Sequence, residues 1–326
     1  NGTNYEIQSL DDVIKSRKWK DAYGIPQMVE RIKARLTQRL PENQAFSLTA
    51  LQRKALSNHD FWSNRNMIIQ GATSSGKTLL AELLILDILQ REQKAIVLVP
   101  LKAMVHERTQ QFKKDIEHSN NIYQVFGSSS DYLDNDERLI AGEYNVSIIV
   151  YEKFFAMLNQ PNCHILEDCR LIVVDELSML SKDERGPKLE MAVEIARARS
   201  PESRIVCLAT CDCKVTNIAN WLKMSAELDS ESMNAVVIQS TLRPVGLDEY
   251  IVLPDGAYCF RHIKSEQECS GQEIDKLEVL DPEAEGVRGN LEVPGFRKAN
   301  RERERKKCLL LPVVNQIYQK YPDGKV

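Results

Sequence analysis

Residues 67–84, MIIQGATSSGKTLLAELL, decide the fold. Met67, Ile68 and Ile69 form an apolar run that leads into a glycine-containing loop, and an apolar pattern at helical spacing leaves it, so the segment reads strand, loop, helix. In the loop Gly71-Ala72-Thr73-Ser74-Ser75-Gly76-Lys77-Thr78, backbone N–H groups can converge on phosphate oxygens. The helix that follows adds positive potential at its start, Lys77 reaches the β- and γ-phosphates, and the Thr78 hydroxyl is placed to ligate Mg²⁺. The expectation is a nucleoside triphosphate site.

Outward from this segment, short apolar runs alternate with amphipathic helical patterns from Asn66 to Gln239. The strand candidates are Met67–Gln70, Ala95–Val99, Asn121–Phe126, Val146–Val150, Leu171–Val174, Ile205–Leu208 and Val236–Gln239. Runs this short, rich in Val and Ile and separated by helices, are parallel strands covered on both faces. The fold expected is α/β, a doubly wound, mostly parallel sheet, with ligands beyond the carboxyl ends of its strands. A helical leader precedes it, with helices expected over Pro26–Leu40 and from about Thr49 onward. After it, periodicity fades between Tyr250 and Asn300 and acidic residues gather, which reads as a flexible connector or an inserted hairpin. A basic cluster follows (Arg297, Lys298, Arg301, Arg303, Arg305, Lys306, Lys307), and a helical pattern returns at Lys306–Lys320 before a turn-like Tyr-Pro-Asp-Gly.

Composition narrows the class. With 326 residues and 43% hydrophobic content the chain can bury a sizeable core. No apolar run approaches the roughly 20 residues of a membrane span, and the polar start shows no signal-peptide pattern, so a soluble, intracellular protein, cytoplasmic or nuclear, is expected. A net charge of −4 argues against a chain that coats nucleic acid over its whole surface, while leaving room for a basic groove. The eight cysteines show no C-x-x-C pair, which favours reduced thiols over a structural metal.

Leu171-Ile-Val-Val-Asp175-Glu176 is the second chemical motif: a buried strand ending in two carboxylates. Asp175 at the tip is placed to hold Mg²⁺, directly or through water, and Glu176 to orient and deprotonate an attacking water. Glu176, Lys77 and Asp175 are therefore the candidate catalytic residues, and Thr78 with Asp175 the candidate metal ligands.

Taken in order, these motifs resemble those of superfamily 2 DExH-box helicases, in the Ski-like branch that includes archaeal and polymerase-associated DNA repair helicases. The resemblance covers roughly residues 25 to 252. Leu48-Thr-Ala-Leu-Gln52 resembles the Q-motif, which implies that Gln52 reads the adenine edge, with Phe46 a weaker candidate for stacking. Val99-Pro100-Leu-Lys102-Ala-Met-Val-His-Glu-Arg108 resembles motif Ia and Val150-Tyr-Glu152-Lys153 resembles motif Ib. In the family both hold the nucleic-acid backbone, which implies Pro100, Lys102, Arg108, Glu152 and Lys153 as contacts. Leu208-Ala209-Thr210 resembles motif III, implying that Ala209 and Thr210, with Ser178 of motif II, couple hydrolysis to strand movement. Arg185-Gly-Pro-x-x-Glu190 and Leu242-Arg-Pro244 with Glu249-Tyr250 are further matches.

The resemblance implies a RecA-like P-loop domain over residues 46–252, after a leader over 1–45. Residues 253–305 would be a linker or insertion and 306–326 the start of a second, truncated RecA-like domain. The expected partners are ATP with Mg²⁺ and single-stranded or partly duplex DNA or RNA. Two departures stand out: Ser178 replaces the histidine usual in motif II of the branch, and Val150 replaces a common threonine in motif Ib. Motifs of a second RecA-like domain are absent from this chain. An alternative of a different class is a nucleotide-dependent scaffold with impaired hydrolysis. A P-loop kinase or ABC-type ATPase would not explain the Q-like, Ia-like and LAT stretches in this order.

Overall fold

The structure is a computed structural model that describes residues 7–19, 23–40, 46–117, 123–211, 215–222, 235–252, 257–263, 265 and 287–290. The chain divides into two compact units, Asn1–Arg243 and Pro244–Val326.

Unit one is built on a seven-stranded parallel sheet. Its strands are β1 (Met67–Gly71), β2 (Lys94–Val99), β3 (Val125–Ser128), β4 (Val146–Val150), β5 (Cys169–Val174), β6 (Arg204–Ala209) and β7 (Val236–Ser240), in the spatial order β3-β4-β2-β5-β6-β1-β7. All seven expected strands are present. The third lies later than the expected Asn121–Phe126, because Gly127 and Ser128 continue the strand. A Cβ on Gly127 would sit 2.4 Å from Thr109 Oγ1, so the missing side chain is what admits the neighbouring helix.

Burial explains the strand composition. In β1, Met67 and Ile69 join one apolar cluster while Ile68 joins the other, so each strand feeds cores on both faces of the sheet. One layer holds α1 (Leu10–Arg17), α2 (Ile25–Thr37), α3 (Ala50–Leu56), α4 (Lys77–Leu89) and α5 (Lys102–Phe112). The short α6 (Asp136–Ile140), α7 (Tyr151–Leu158), α8 (Gly186–Arg199) and α9 (Val215–Trp221) contribute to the opposite layer.

Helix α4 is buried along nearly its whole length, Leu79 to Leu89. An all-round apolar helix needs cover on its outer side, and the leader supplies it. Arg17 pairs with Asp87 at 2.7 Å and Trp19 Nε1 donates to the same carboxylate. Arg35 of α2 pairs with Glu82 of α4 and with Asp115, each at 2.9 Å. The leader helix expected over Pro26–Leu40 runs over Ile25–Thr37, and α3 starts from Thr49 as its N-cap.

Unit two contains a three-stranded antiparallel sheet of β8 (Leu247–Val252), β9 (Ala257–Ile263) and β10 (Val287–Asn290), in the order β10-β9-β8. Part of the expected connector over 253–305 is thus strand. The basic cluster and the segment 306–326 lie outside the described residues.

Candidate active site

Sheet order brings the two chemical motifs together. β6 lies between β1 and β5, with Gln70 opposite Ala209 and Val174 opposite Cys207, so all three carboxyl ends finish nearly level. From them emerge the glycine loop, the LAT stretch and the two carboxylates, around a cavity of about 490 Å³. Its lining includes Gln52, Lys77, Thr78, Arg108, Asp175, Glu176 and Thr210. That volume falls within the range usual for small-ligand sites.

The loop's shape depends on particular residues. Ser74 and Gly76 have positive φ (65° and 82°), and Gly76 leads directly into α4. A Cβ on Gly76 would lie 1.9 Å from Gln52 Nε2, so glycine is required twice, for conformation and for space. Lys77 Nζ donates to the carbonyls of Gly71 and Ala72 at 2.8 Å each, folding the side chain back along the loop. An ammonium has three donors, so a third can point at a phosphate from this position. Burial pushes the Lys77 pKa down, against the pull of Cys211, Asp175 and Glu176. The Ser75 hydroxyl is buried without a hydrogen-bond partner.

Gln52, which lines the cavity, is also a structural fastening. Its Oε1 accepts from Thr49 N at 2.9 Å while Thr49 Oγ1 accepts from Gln52 N, a reciprocal cap on α3. Its Nε2 donates to Gly76 O at 3.0 Å, and Thr49 Oγ1 donates to Ser75 O at 2.8 Å. The expected adenine reader therefore also fastens the phosphate loop to α3. An amide can make four hydrogen bonds, so one donor and one acceptor lone pair remain for a base.

On the acidic side, Asp175 N donates to Leu98 O at 2.9 Å, and the Tyr151 hydroxyl donates to Asp175 O. Burial raises the Tyr151 pKa, which keeps that hydroxyl a donor. Burial also raises Asp175, opposed by the Arg108 guanidinium. Glu176 adopts a left-handed backbone conformation (φ 60°, ψ 61°). Such strain in a non-glycine residue costs on the order of 1–3 kcal/mol and collects at functional sites. The Ser178 hydroxyl donates to Glu176 Oε1 at 2.7 Å, so the serine of motif II touches the candidate base itself. Gln70 Nε2 donates to Thr210 O at 2.9 Å, linking β1 to the LAT stretch.

The candidate nucleic-acid residues do not all fall together. Pro100 and Lys102 follow β2, Glu152 and Lys153 follow β4, and these strands are neighbours with Val99 opposite Val150. Arg185 joins the two loops: it donates to Pro100 O and pairs with Glu152, Nη2 to Oε2 at 3.1 Å. Lys102 pairs with Asp131 at 2.9 Å through exposed side chains, a solvent-screened contact that a phosphate can replace. Lys153 pairs with Asp136. Arg108, by contrast, lies in the nucleotide cavity, with Nη2 3.1 Å from Thr78 Oγ1 and 3.7 Å from Asp175 Oδ2. Thr78 and Asp175 thus already face one positive group together. Hard oxygen donors facing a cation suit Mg²⁺, so the residues present fit the expected metal.

Sequence reasoning missed Arg35, Glu82 and Gln111. Glu82, one turn beyond Thr78, is buried and accepts from both Arg35 and Gln111. Burial raises its pKa, against the pull of Arg35. Among the described residues no group of three or more His, Cys, Asp or Glu side chains is arranged to hold a metal by protein ligands alone. No helix among them is long and apolar enough to cross a membrane.

Residues 49–218 match the DEAD/DEAH box helicase family, more than half of the 326-residue chain. Three similar curated proteins carry the name ATP-dependent DNA helicase Hel308. The Thermoplasma volcanium protein is 30% identical over 206 residues, 63% of this chain and 28% of its own length. That of Caldivirga maquilingensis is 34% identical over 188 residues (57% and 23%), and that of Pyrococcus horikoshii 32% over 218 residues (67% and 28%). This chain spans about a quarter of the length of the curated relatives it matches.

Proposed function

The chain belongs to the DEAD/DEAH box helicase family, and from that premise we propose that it is the ATP-binding segment of an ATP-dependent helicase or translocase of the Ski-like branch. The observation that carries the proposal is the convergence of Lys77, Thr78, Asp175 and Glu176 on one cavity at the carboxyl ends of β1 and β5. In this reading the loop Gly71–Gly76 and Lys77 bind the triphosphate, Thr78 and Asp175 hold Mg²⁺, and the metal neutralises charge on the phosphates. Glu176 accepts a proton from the attacking water, Ser178 fixes the carboxylate that does so, and Gln52 faces the base. The loops after β2 and β4, carrying Lys102 and Lys153, hold the backbone of single-stranded DNA or RNA.

The relatives are named DNA helicases, which favours DNA for this chain as well. Superfamily 2 hydrolysis, as the resemblance implies, draws an arginine from a second RecA-like domain, and such arginines are worth roughly 10³- to 10⁵-fold in rate. Residues 1–326 alone should therefore bind ATP but turn it over slowly. Phosphate release measured with and without single-stranded DNA and RNA tests this, on this chain and on a longer protein containing the second domain. Nucleic-acid-stimulated turnover by the longer protein alone supports the motor. A longer protein that binds ATP yet stays inactive supports the hydrolysis-impaired scaffold, for which the Ser178 departure is the motive.

A further inference from the structure

Arg108 stands in motif Ia, seven residues into α5, yet its guanidinium does not face outward with Lys102. It projects into the nucleotide cavity and bridges Thr78 Oγ1 (3.1 Å) and Asp175 Oδ2 (3.7 Å). These two groups belong to different motifs, one at the start of α4 and one after β5, and the Arg108 guanidinium contacts both, with Lys77 also acting on Asp175. The guanidinium is well placed to be held there: its side chain is only 20% exposed and Asp175 only 16%. Met104, Glu107 and Gln111, on the same stripe of α5 at helical spacing, line the same cavity. The helix therefore presents a face to the nucleotide.

We propose that Arg108 is a built-in counter-cation of the ATP site, occupying the charge position of the metal between Thr78 and Asp175, and that Mg²⁺-nucleotide binds only by displacing it. This rests on the reading of Thr78 and Asp175 as metal ligands. The geometry carries the argument: Arg108 Nη2 lies within 3.1 Å of Thr78 Oγ1 and 3.7 Å of Asp175 Oδ2, the place that a metal held by both oxygens would need. Two cations within a few ångströms in a half-buried site repel, so Mg²⁺ on Thr78 Oγ1 and Asp175 Oδ2 disfavours the guanidinium in its present place. A fixed cation beside the phosphates also partly replaces the metal when nucleotide arrives without it, since guanidinium binds phosphate well. Arg108 should therefore make this site less selective for Mg²⁺-nucleotide over free nucleotide than Thr78 and Asp175 alone would be. Displacement would act on α5, whose first residue, Lys102, adjoins the loop at Pro100.

The test is a fluorescence titration with a labelled ADP, in Mg²⁺ and in EDTA, read as the ratio of the two Kd values. In Arg108→Gln the ratio Kd(EDTA)/Kd(Mg²⁺) should rise about tenfold over wild type, the scale of one charge-assisted hydrogen bond. In Arg108→Lys, which keeps the charge but not the fork that spans both oxygens, the ratio should lie between those of wild type and Arg108→Gln. Thermal melts confirm folding, and Arg108→Met, which keeps the apolar stem, replaces the glutamine variant if that fails to fold. An unchanged ratio in the neutral variant, or the same rise in the lysine variant, overturns the proposal. If the wild-type chain binds no labelled ADP even in Mg²⁺, the nucleotide-site reading fails instead, so the two failures are distinct.

Discussion

Replacing Gln52 by Ala should destabilise the protein and loosen the phosphate loop at once. The side chain is 3% exposed and makes two hydrogen bonds, from Thr49 N at 2.9 Å and to Gly76 O at 3.0 Å. Each contributes about 1 kcal/mol, and a buried partner left unsatisfied adds its own penalty, so a total of about 2–3 kcal/mol is expected. For a domain of this size 1 kcal/mol corresponds to about 2–4 °C, which gives a drop in Tm of about 4–12 °C. Gln52→Glu separates the two bonds: a carboxylate still accepts from Thr49 N but cannot donate to Gly76 O. That variant should keep the α3 cap but lose the loop contact and bury a carboxylate against the Gly76 carbonyl, so its Tm should fall at least as far as that of Gln52→Ala, and nucleotide affinity with it. Differential scanning calorimetry and competition between ATP and GTP measure both effects. Wild-type stability in Gln52→Ala would refute the clamp, and an undiminished preference for ATP would refute the proposed adenine contact.

Further expectations follow from the same geometry. Gly76→Ala should abolish nucleotide binding in equilibrium titration, because the new Cβ would meet Gln52 at 1.9 Å from a backbone with φ 82°. Arg35→Leu should cost about 3–5 kcal/mol in urea denaturation at pH 7, since it leaves the Glu82 and Asp115 carboxylates without their pair. Both carboxyls have folded-state pKa values raised by burial. The folded protein therefore binds their protons more readily than the unfolded chain, and the Arg35→Leu deficit should shrink on acidification from pH 7 toward 5. A deficit that stays constant over that window would contradict the assignment. Ser178→Ala should lower kcat about tenfold in a protein with both RecA-like domains and leave KM for ATP unchanged, as expected for one hydrogen bond to the base. Because burial lowers the Lys77 pKa, affinity for ATP should begin to fall with rising pH before an ordinary lysine would deprotonate, a trend calorimetry from pH 7 to 10 can follow.

The strands were legible because parallel strands buried on both faces must be continuous Val/Ile runs, and β2, β4 and β5 are little else. β3 was harder: Gly127 and Ser128 carry no strand propensity, and only their packing against α5 makes them strand. The glycine loop and the two carboxylates could be read from local pattern, since their chemistry sits in consecutive residues. Arg108 could not, because motif position alone does not say which side of a helix faces a cavity. The spacing of Met104, Arg108 and Gln111 does carry that signal, hidden by polar side chains that look solvent-facing. Thr49-x-x-Gln52 is a capping-box pattern, so the structural role of Gln52 was readable, whereas its reach to Gly76 depends on tertiary placement. Nothing local in the sequence marks Glu82 as buried, because the Arg35 that covers it comes from the leader, 47 residues earlier.

The central claim is that the cavity between the glycine loop and Asp175 binds Mg²⁺-ATP. Isothermal titration of this chain with a nonhydrolysable ATP analogue in Mg²⁺, beside Lys77→Ala, tests it most directly. The account predicts one site per chain, with affinity at least about 100-fold weaker in the variant, the scale of losing charged hydrogen bonds to phosphate. No measurable binding by the wild-type chain, or equal affinity in a folded Lys77→Ala variant, would contradict it.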